Sequence, residues 1–233
     1  MKKSVLILSL LLSTIFASSQ IDSLLDVSFG ADFMSSYVWR GQKLTSSPAI
    51  QPSVELSFGN FTLGGWASWH PTDYWHETDL YLGYENDWIS AGVVDYFTVD
   101  EFYSIQFTNF TTGQSAHILE AYLGYPGSDK IPFQLTYFST FFNDLNNNNQ
   151  EQYSGFIELA WLFSIKETDA MLRFGVTPSE GMYADNFAWV ESAFCVEKEI
   201  ELHQDFSISA QSQLVYNPYL KDIYLVFGLG CYF

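Results

Sequence analysis

The last eleven residues of the chain, 223–233, alternate between two kinds of side chain. Successive side chains of a β-strand point to opposite faces, so one face of this segment is apolar and ends on an aromatic ring. The apolar face comprises Ile223, Leu225, Phe227, Leu229, Cys231 and Phe233. Such a strand promotes aggregation when it lies at an exposed sheet edge. The ending therefore favours a sheet that closes on itself in an apolar environment.

Residues 1–19 have the features of a secretory signal peptide. Two lysines precede an apolar stretch from Val5 to Phe16, and three small residues follow. About 12 apolar residues suit a signal peptide and are too few for a spanning helix. We therefore expect a mature chain that starts at Gln20, enters the periplasm of a Gram-negative cell and forms a single domain over 20–233.

The composition fits β-strands that have one face in contact with lipid and the other in contact with water. Aromatic residues make up 18% of the chain and charged residues 15%, and the mean hydropathy is +0.02. A soluble domain carries about 25% charged residues, whereas alternating lipid-facing and lumen-facing side chains average to a value near zero hydropathy. The formal charge is −18, which excludes nucleic acid as a partner of the bulk surface and favours cations.

Segments of period two recur along the mature chain and are separated by turn residues. The pattern predicts strands at 27–40, 49–58, 61–70, 77–86, 88–97, 117–125, 132–142, 152–164, 170–178, 187–199, 206–216 and 222–233. The connections alternate between short and longer ones, which is typical of outer-membrane barrels with short periplasmic turns and longer extracellular loops. We therefore predict an all-β fold: a transmembrane antiparallel barrel of about twelve strands with both termini periplasmic.

The more apolar parity of each strand is predicted to face lipid. This set comprises Phe29, Phe33, Trp39, Ile50, Val54, Leu56, Phe58, Phe61, Leu63, Trp69, Leu80, Leu82, Tyr84, Leu119, Leu123, Tyr125, Phe133, Leu135, Tyr137, Ile157, Leu159, Trp161, Leu172, Phe174, Val176, Val190, Phe194, Phe206, Ile208 and Leu214, followed by the apolar face of the last strand. The facing of strand 88–97 stays open, because Asp95 shares parity with Ile89 and Val93.

The order of short motifs in the first third of the mature chain resembles the TorF family of outer-membrane porins. The motifs are Tyr37-Val-Trp-Arg40-Gly41, Pro48-Ala-Ile-Gln51, Gly64-Gly-Trp66-Ala-Ser68 and Asp79-Leu-Tyr81-Leu-Gly83-Tyr84. Glu120-Ala-Tyr122-Leu-Gly124-Tyr125 and the segment around Glu158 are similar to later strands of that family. The terminal Gly-Cys-Tyr-Phe departs from the Ser/Lys-rich last strand associated with it. The resemblance implies an outer-membrane barrel and a channel, and it implies no particular solute.

The opposite parity combines carboxylates with aromatic rings and is predicted to line a narrow lumen. The predicted pore-lining residues are Asp32, Arg40, Glu55, Trp66, Asp79, Tyr81, Glu120, Tyr122, Glu158, Arg173 and Glu191. Three further rings fall on the same parity: Phe156, Trp189 and Tyr224. Because carboxylates outnumber arginines in this set, we expect passive diffusion of small solutes with a preference for cations.

The two arginines of this set have two interpretations. Each either contributes to a charged constriction or neutralises neighbouring carboxylates. For Arg173 the second is favoured, because Glu191 is expected beside it. Arg40 is expected at the outer mouth, with both interpretations open. The sequence also leaves open whether the loop 98–116 folds inward as a plug.

Other candidate sites carry weaker signals. His70 and His76 flank Asp73, but a metal site there is not favoured, and we predict no cofactor. The segment from Asp144 begins like a calcium loop but lacks the required glycine and final glutamate, so a solvated loop is expected. Cys195 and Cys231 fall on strands ten and twelve, which are too far apart for a disulfide, and both are expected to be unpaired apolar residues.

Two alternatives to a channel remain at this stage. One is a plugged structural or adhesion barrel without conduction. The other is an outer-membrane enzyme that modifies lipids, which is disfavoured because no nucleophile-elbow motif is present and no histidine lies in an obvious triad. The expected partners are outer-membrane lipid, small solutes or cations, and the barrel-assembly machinery, which would contact the strand that ends at Phe233.

Overall fold

The structure, a computed structural model, describes residues 25–100 and 106–233, so the predicted signal peptide lies outside the described residues. It contains fourteen strands within these ranges. Their bounds are β1 Leu25–Met34, β2 Tyr37–Trp39, β3 Gln42–Thr45, β4 Ala49–Phe58, β5 Phe61–Ser68, β6 Trp75–Glu85, β7 Ser90–Asp100, β8 His117–Tyr125, β9 Phe133–Phe142, β10 Gly155–Ile165, β11 Thr168–Thr177, β12 Ala188–His203, β13 Phe206–Asn217 and β14 Asp222–Tyr232. No helix that is long and apolar enough to cross a membrane is found in the described part of the chain.

Twelve of these strands form one closed antiparallel barrel, which confirms the predicted fold and strand number. Neighbours in sequence are neighbours in the wall, and β1 closes the ring between β14 and β4. The seam is completed by the final residue, because Phe233 and Phe29 exchange backbone hydrogen bonds of 2.8 and 3.0 Å. The apolar last strand is therefore paired on both sides.

β2 and β3 form a separate two-stranded sheet that is not part of the wall. The predicted first strand, 27–40, is therefore wrong beyond Met34: the wall strand ends there and the chain turns into the barrel. The barrel wall has no gap where the chain leaves it, because Met34 at the end of β1 is paired with Ala49 at the start of β4.

The connections alternate in length around the barrel. At the end that carries the chain termini most are short, at 59–60, 86–89, 166–167 and 204–205, and the exception is 126–132. At the opposite end, called the loop end below, most are longer: 35–48, 69–74, 101–116, 143–154, 178–187 and 218–221. The long connections therefore lie at one end of the barrel, and they include segment 35–48, which enters the lumen.

Most of the predicted lipid-facing side chains lie on the outside of the wall. Large apolar side chains there are strongly exposed, as for Phe29 at 55% and Leu123 at 60%. Trp39 is an exception, because it belongs to the inward hairpin and its ring lies 5.6 Å from that of Tyr183. The prediction failed here because alternation continues across the point where the chain leaves the wall.

A β-bulge in β12 reverses two further predictions. The register between β11 and β12 shifts by one residue at Val190, so that side chain points inward and is fully buried. Trp189, predicted to face inward, is instead 49% exposed and its ring lies 6.2 Å from the outward Phe174. One extra residue in a strand reverses which side chains point inward on the far side of the bulge. Alternation in the sequence does not reveal such a residue.

The open facing of the fifth wall strand is resolved by β7. Ile89 and Val93 are more than 40% exposed, which places their parity, and with it Asp95, on the outer face. The Asp95 carboxylate is paired there with His117, whose Nδ1 lies 2.8 Å from Oδ1. A charged group on this face is therefore accommodated by a local partner rather than by the lumen.

Candidate functional site

The hairpin formed by β2 and β3 crosses the lumen from its origin between β1 and β4. Its turn is made by Arg40 and Gly41, both with positive φ, at 47° and 76°. A Cβ atom at Gly41 would lie 2.0 Å from the carbonyl oxygen of Val190 on β12. Only glycine fits both the backbone conformation and this approach. The hairpin tip is thus pressed against the far side of the wall.

Arg40 makes a buried ion pair at this tip. Its Nη1 and Nη2 donate to the two carboxylate oxygens of Glu120 on β8 at 2.6 and 2.7 Å. Tyr183 accepts a further hydrogen bond from Nη1, and Tyr96 donates to Glu120 at 2.9 Å. Arg40 is 7% exposed and Glu120 is fully buried. Bidentate pairing of this kind satisfies both charges, which is required when they are removed from water.

Aromatic rings surround the Arg40 guanidinium on several sides. Its carbon lies 4.1 Å from the ring centre of Phe138, 4.5 Å from Trp39 and 4.9 Å from Phe156. Burial by itself lowers the pKa of a guanidinium, but Tyr183 and Glu120 outweigh that effect and the pKa of Arg40 is raised. The cation is therefore permanently charged and held by both an ion pair and cation–π contacts.

A second contact fixes the stem of the hairpin. The Tyr37 hydroxyl donates to Glu77 on β6 at 2.8 Å, and its ring lies 5.4 Å from that of Trp66. Burial and the adjacent Glu77 carboxylate raise the pKa of Tyr37 well above its usual value, so it stays a hydrogen-bond donor in ordinary buffers. On the opposite side of the lumen, Asn217 donates to the Gly41 carbonyl at 3.0 Å.

The segment 178–187 covers the hairpin tip from the loop end. Tyr183 and Ala184 form a buried apolar cluster with Phe156 and Val190 inside the barrel. Gln42 of the hairpin also donates to the Met182 carbonyl at 3.1 Å. The loop-end half of the lumen is therefore filled by two inward segments that pack on each other.

The second arginine, Arg173 on β11, forms another carboxylate cluster on the inner face. Its Nε and Nη2 donate to Glu191 at 3.0 and 2.8 Å, and Nε lies 3.6 Å from Glu158. Arg173 is therefore engaged in local charge balance. Beside it is a cavity of about 220 Å³ toward the termini end, whose lining includes Cys195, Glu197 and Gln211.

The remaining predicted lining residues lie on the inner face of the wall. Glu55 accepts a hydrogen bond from Tyr81 at 2.8 Å, and Asp32 accepts from Tyr232 and Gln211 at 2.7 and 2.9 Å. These two carboxylates have neutral donors as partners. In contrast to Glu120 they are only partly buried.

The structure brings together the arginines, Glu120, Glu158 and Glu191 but separates Asp32 and Glu55 from them. Arg40, predicted at the outer mouth, lies on the hairpin tip near the loop end, where it is buried against Glu120 and Tyr183 rather than exposed. Sequence reasoning missed the groups that hold the hairpin: Tyr37 and Glu77 at its stem, and Tyr96, Phe138 and Tyr183 around Arg40. The one available signal was the Arg-Gly pair, since glycine after a polar residue is a common turn element.

The part of the third long loop that is described lies outside the barrel. Phe107 accepts a hydrogen bond from His117 through its carbonyl, Nε2 to O 2.7 Å, and the Phe110 ring stacks on the imidazole at 4.2 Å. Residues 106–116 therefore cover the outward Asp95–His117 pair. The segment that fills the lumen is the first loop, 35–48, together with 178–187.

The residues of the weaker candidate sites have structural roles. His70 is buried with Nε2 3.0 Å from Ser68 and Nδ1 2.8 Å from the Trp75 carbonyl, so neither ring nitrogen is available to a metal. The prediction of a solvated loop is wrong for Asp144, which is 4% exposed and accepts from Thr140 and the Ser154 amide.

Comparisons with known proteins identify the fold at low sequence identity. Neither a protein-family model nor a curated protein matches the chain. Among solved structures, a KdgM porin in complex with disordered oligogalacturonate matches with TM-score 0.50 and 8% identity, over 89% of this chain and 97% of that one. A second KdgM porin structure matches with TM-score 0.48 and 7% identity, over 89% of this chain and 97% of that one. The outer membrane protein OpdK from Pseudomonas aeruginosa matches with TM-score 0.35 and 10% identity, over 90% of this chain and 60% of that one. The match at 0.50 supports the barrel fold alone, and the TorF resemblance stays a prediction from sequence motifs.

Proposed function

We propose that this chain is an outer-membrane channel for passive diffusion of small solutes, with a preference for cations and a passage narrowed by the hairpin. The supporting observation is the distribution of inward charge. Arg40 and Arg173 are each matched by carboxylates, whereas Asp32 and Glu55 face the lumen with neutral partners only. Fixed negative charge in a low-dielectric passage lowers the barrier for cations and raises it for anions.

The outer surface supports placement of the barrel in a membrane. The strands expose large apolar side chains outward, such as Phe29, Leu82 and Leu225, and closure leaves no unpaired wall edge at the seam. Barrels and helices are the structures that satisfy backbone hydrogen bonds within lipid. Together with the predicted signal peptide, these features support our proposal of an outer-membrane location with the termini on the periplasmic side.

Planar-bilayer recording in a KCl gradient tests the preference for cations. We expect the reversal potential to shift toward that of K⁺, and replacing both Asp32→Asn and Glu55→Gln to reduce the shift. Asp87→Asn with Asp129→Asn is the matched control, because it removes the same charge from exposed turns. A reversal potential near that of chloride, or equal effects of both pairs, would contradict the assignment of these carboxylates.

A second candidate function is a plugged barrel that does not conduct. The buried cluster of Phe156, Tyr183, Ala184 and Val190 favours it, since this cluster and the hairpin fill the loop-end half of the lumen. The enzymatic alternative gains no support from His117, whose two ring nitrogens are engaged by Asp95 and the Phe107 carbonyl.

Removing the hairpin distinguishes the channel from the plug. Met34 and Ala49 are already paired in the wall, so an Asn-Gly turn can replace residues 35–48 without altering the register. If the hairpin only narrows the passage, the intact barrel conducts and the variant conducts severalfold more. If the intact barrel is silent and only the variant conducts, the plugged barrel is correct. Lys43→Ala, on an exposed position of the hairpin, serves as the control that leaves the contacts of Arg40 and Tyr37 in place.

A further inference from the structure

Glu77 and Asp79 form a pair of buried acids that the charge-balanced clusters do not include. They are two residues apart on β6 and share the inner face, where they are 6% and 7% exposed. Side chains two residues apart line the same face of a strand, so the two carboxyl groups are neighbours. No lysine or arginine pairs with either of them within residues 25–100 and 106–233.

One oxygen of this pair is left without a partner. The Glu77 carboxylate accepts from Tyr37, but Oδ1 of Asp79 is buried and has no hydrogen bond to any described group. A buried carboxylate oxygen without a donor is costly, because burial removes the water that would otherwise solvate it. The cross-strand neighbours on β7 are Thr98 beside Glu77 and Tyr96 beside Asp79.

We propose that Glu77 and Asp79 form a binding site for one hard metal cation, with Ca²⁺ as the representative ion, beneath the stem of the hairpin. A cation there offsets the repulsion between two adjacent carboxylates and supplies the partner that Oδ1 of Asp79 lacks. The oxygen atoms of carboxylates and hydroxyls are the ligands that such cations prefer. The proposal concerns binding and does not depend on whether the barrel conducts.

The affinity of this site is expected to be weak and dependent on pH. Two carboxylates are fewer than a strong calcium site uses, so we expect a Kd of about 10⁻⁴–10⁻³ M, as in weak extracellular sites. Protons compete for the same carboxylates, so binding weakens as the pH falls. The other titratable groups that face the pair are Tyr37 from β2 and Tyr96 from β7, and Asp95 acts through the wall from β7.

Terbium luminescence provides the test, because Tb³⁺ replaces Ca²⁺ and Trp66, paired opposite Asp79, can sensitise it. We expect the refolded barrel in detergent to give a saturable signal that Ca²⁺ displaces. Glu77→Gln with Asp79→Asn should weaken binding at least tenfold. Asp169→Asn with Glu197→Gln, which removes the same charge from acids that line the cavity beside Arg173, should leave it unchanged.

Three outcomes would overturn the proposal. The first is a folded wild-type barrel without a saturable signal that calcium displaces. The second is an equal loss in the control pair, which would mean diffuse attraction by the acidic lumen. The third is proton uptake by Glu77 and Asp79 with no metal binding at any pH. If the double variant fails to fold, the single variants Glu77→Gln and Asp79→Asn are each expected to weaken binding, and unchanged binding in both folded single variants would equally refute it.

Discussion

At the scale of single residues, several inward rings lie flat against glycines of neighbouring strands. The Tyr81 ring covers Gly64, where a Cβ atom would lie 2.1 Å from its Cζ, and the Tyr122 ring covers Gly92 in the same way, with 2.7 Å to Cε1. Each ring thereby fills the space of an absent side chain and holds its hydroxyl near the wall. The sequence predicted that these tyrosines face inward, but the pairing with glycine depends on strand register, which alternation does not specify.

Replacing Gly64 tests this packing. Gly64→Ala forces the Tyr81 ring away from the wall and from its hydrogen bond with Glu55, and we expect a loss of about 1–3 kcal/mol of unfolding free energy. Gly65→Ala is a matched control, because a Cβ atom at Gly65, on the outer face, meets its nearest neighbour at 3.4 Å. Urea unfolding of both variants in lipid vesicles measures the difference. Equal unfolding free energies of the two variants would show that the Tyr81 ring does not need the space that glycine leaves at position 64.

At the scale of elements, strands were predictable where the chain stays in the wall and unpredictable where it leaves. The hairpin 37–45 has the same alternation as β1, so periodicity extended the first strand to residue 40. Its true position is fixed by contacts to Glu77, Glu120 and Asn217, which lie far along the sequence. The bulge at Val190 is likewise set by packing against Tyr183 rather than by any local pattern.

Two strands carry free thiols on opposite faces, which allows the facing of β12 and β14 to be measured. Cys195 lies on the inner face beside Arg173, and Cys231 shares the outer parity of Leu229. In lipid vesicles we expect charged thiosulfonate reagents to modify Cys195 and to leave Cys231 unmodified. After denaturation both should react with maleimide without a reductant. A disulfide, or the reverse order of reactivity, would disprove the facing assigned to these strands.

At the scale of the whole molecule, the number of strands and the closure followed from periodicity and from the parity of connection lengths. Both predictions rest on the pattern of the entire chain, so a wrong facing for one residue, such as Trp39, does not change them. The filling of the lumen is different, because it depends on a few long-range contacts. The sequence directed attention to the loop 98–116, whereas residues 106–116 pack outside and the segment 35–48 enters the barrel.

The contacts that seat the hairpin also constrain the order in which the protein can fold. Arg40 is separated by 80 residues from Glu120 and by 143 from Tyr183, and Gly41 is separated by 176 from Asn217. Contacts between such distant positions require the intervening chain to be in place first. The hairpin therefore reaches its final position only after β8, β12 and β13 have assembled. We therefore expect the wall to form before the hairpin reaches its place, so that the assembling barrel has an open interior for a time.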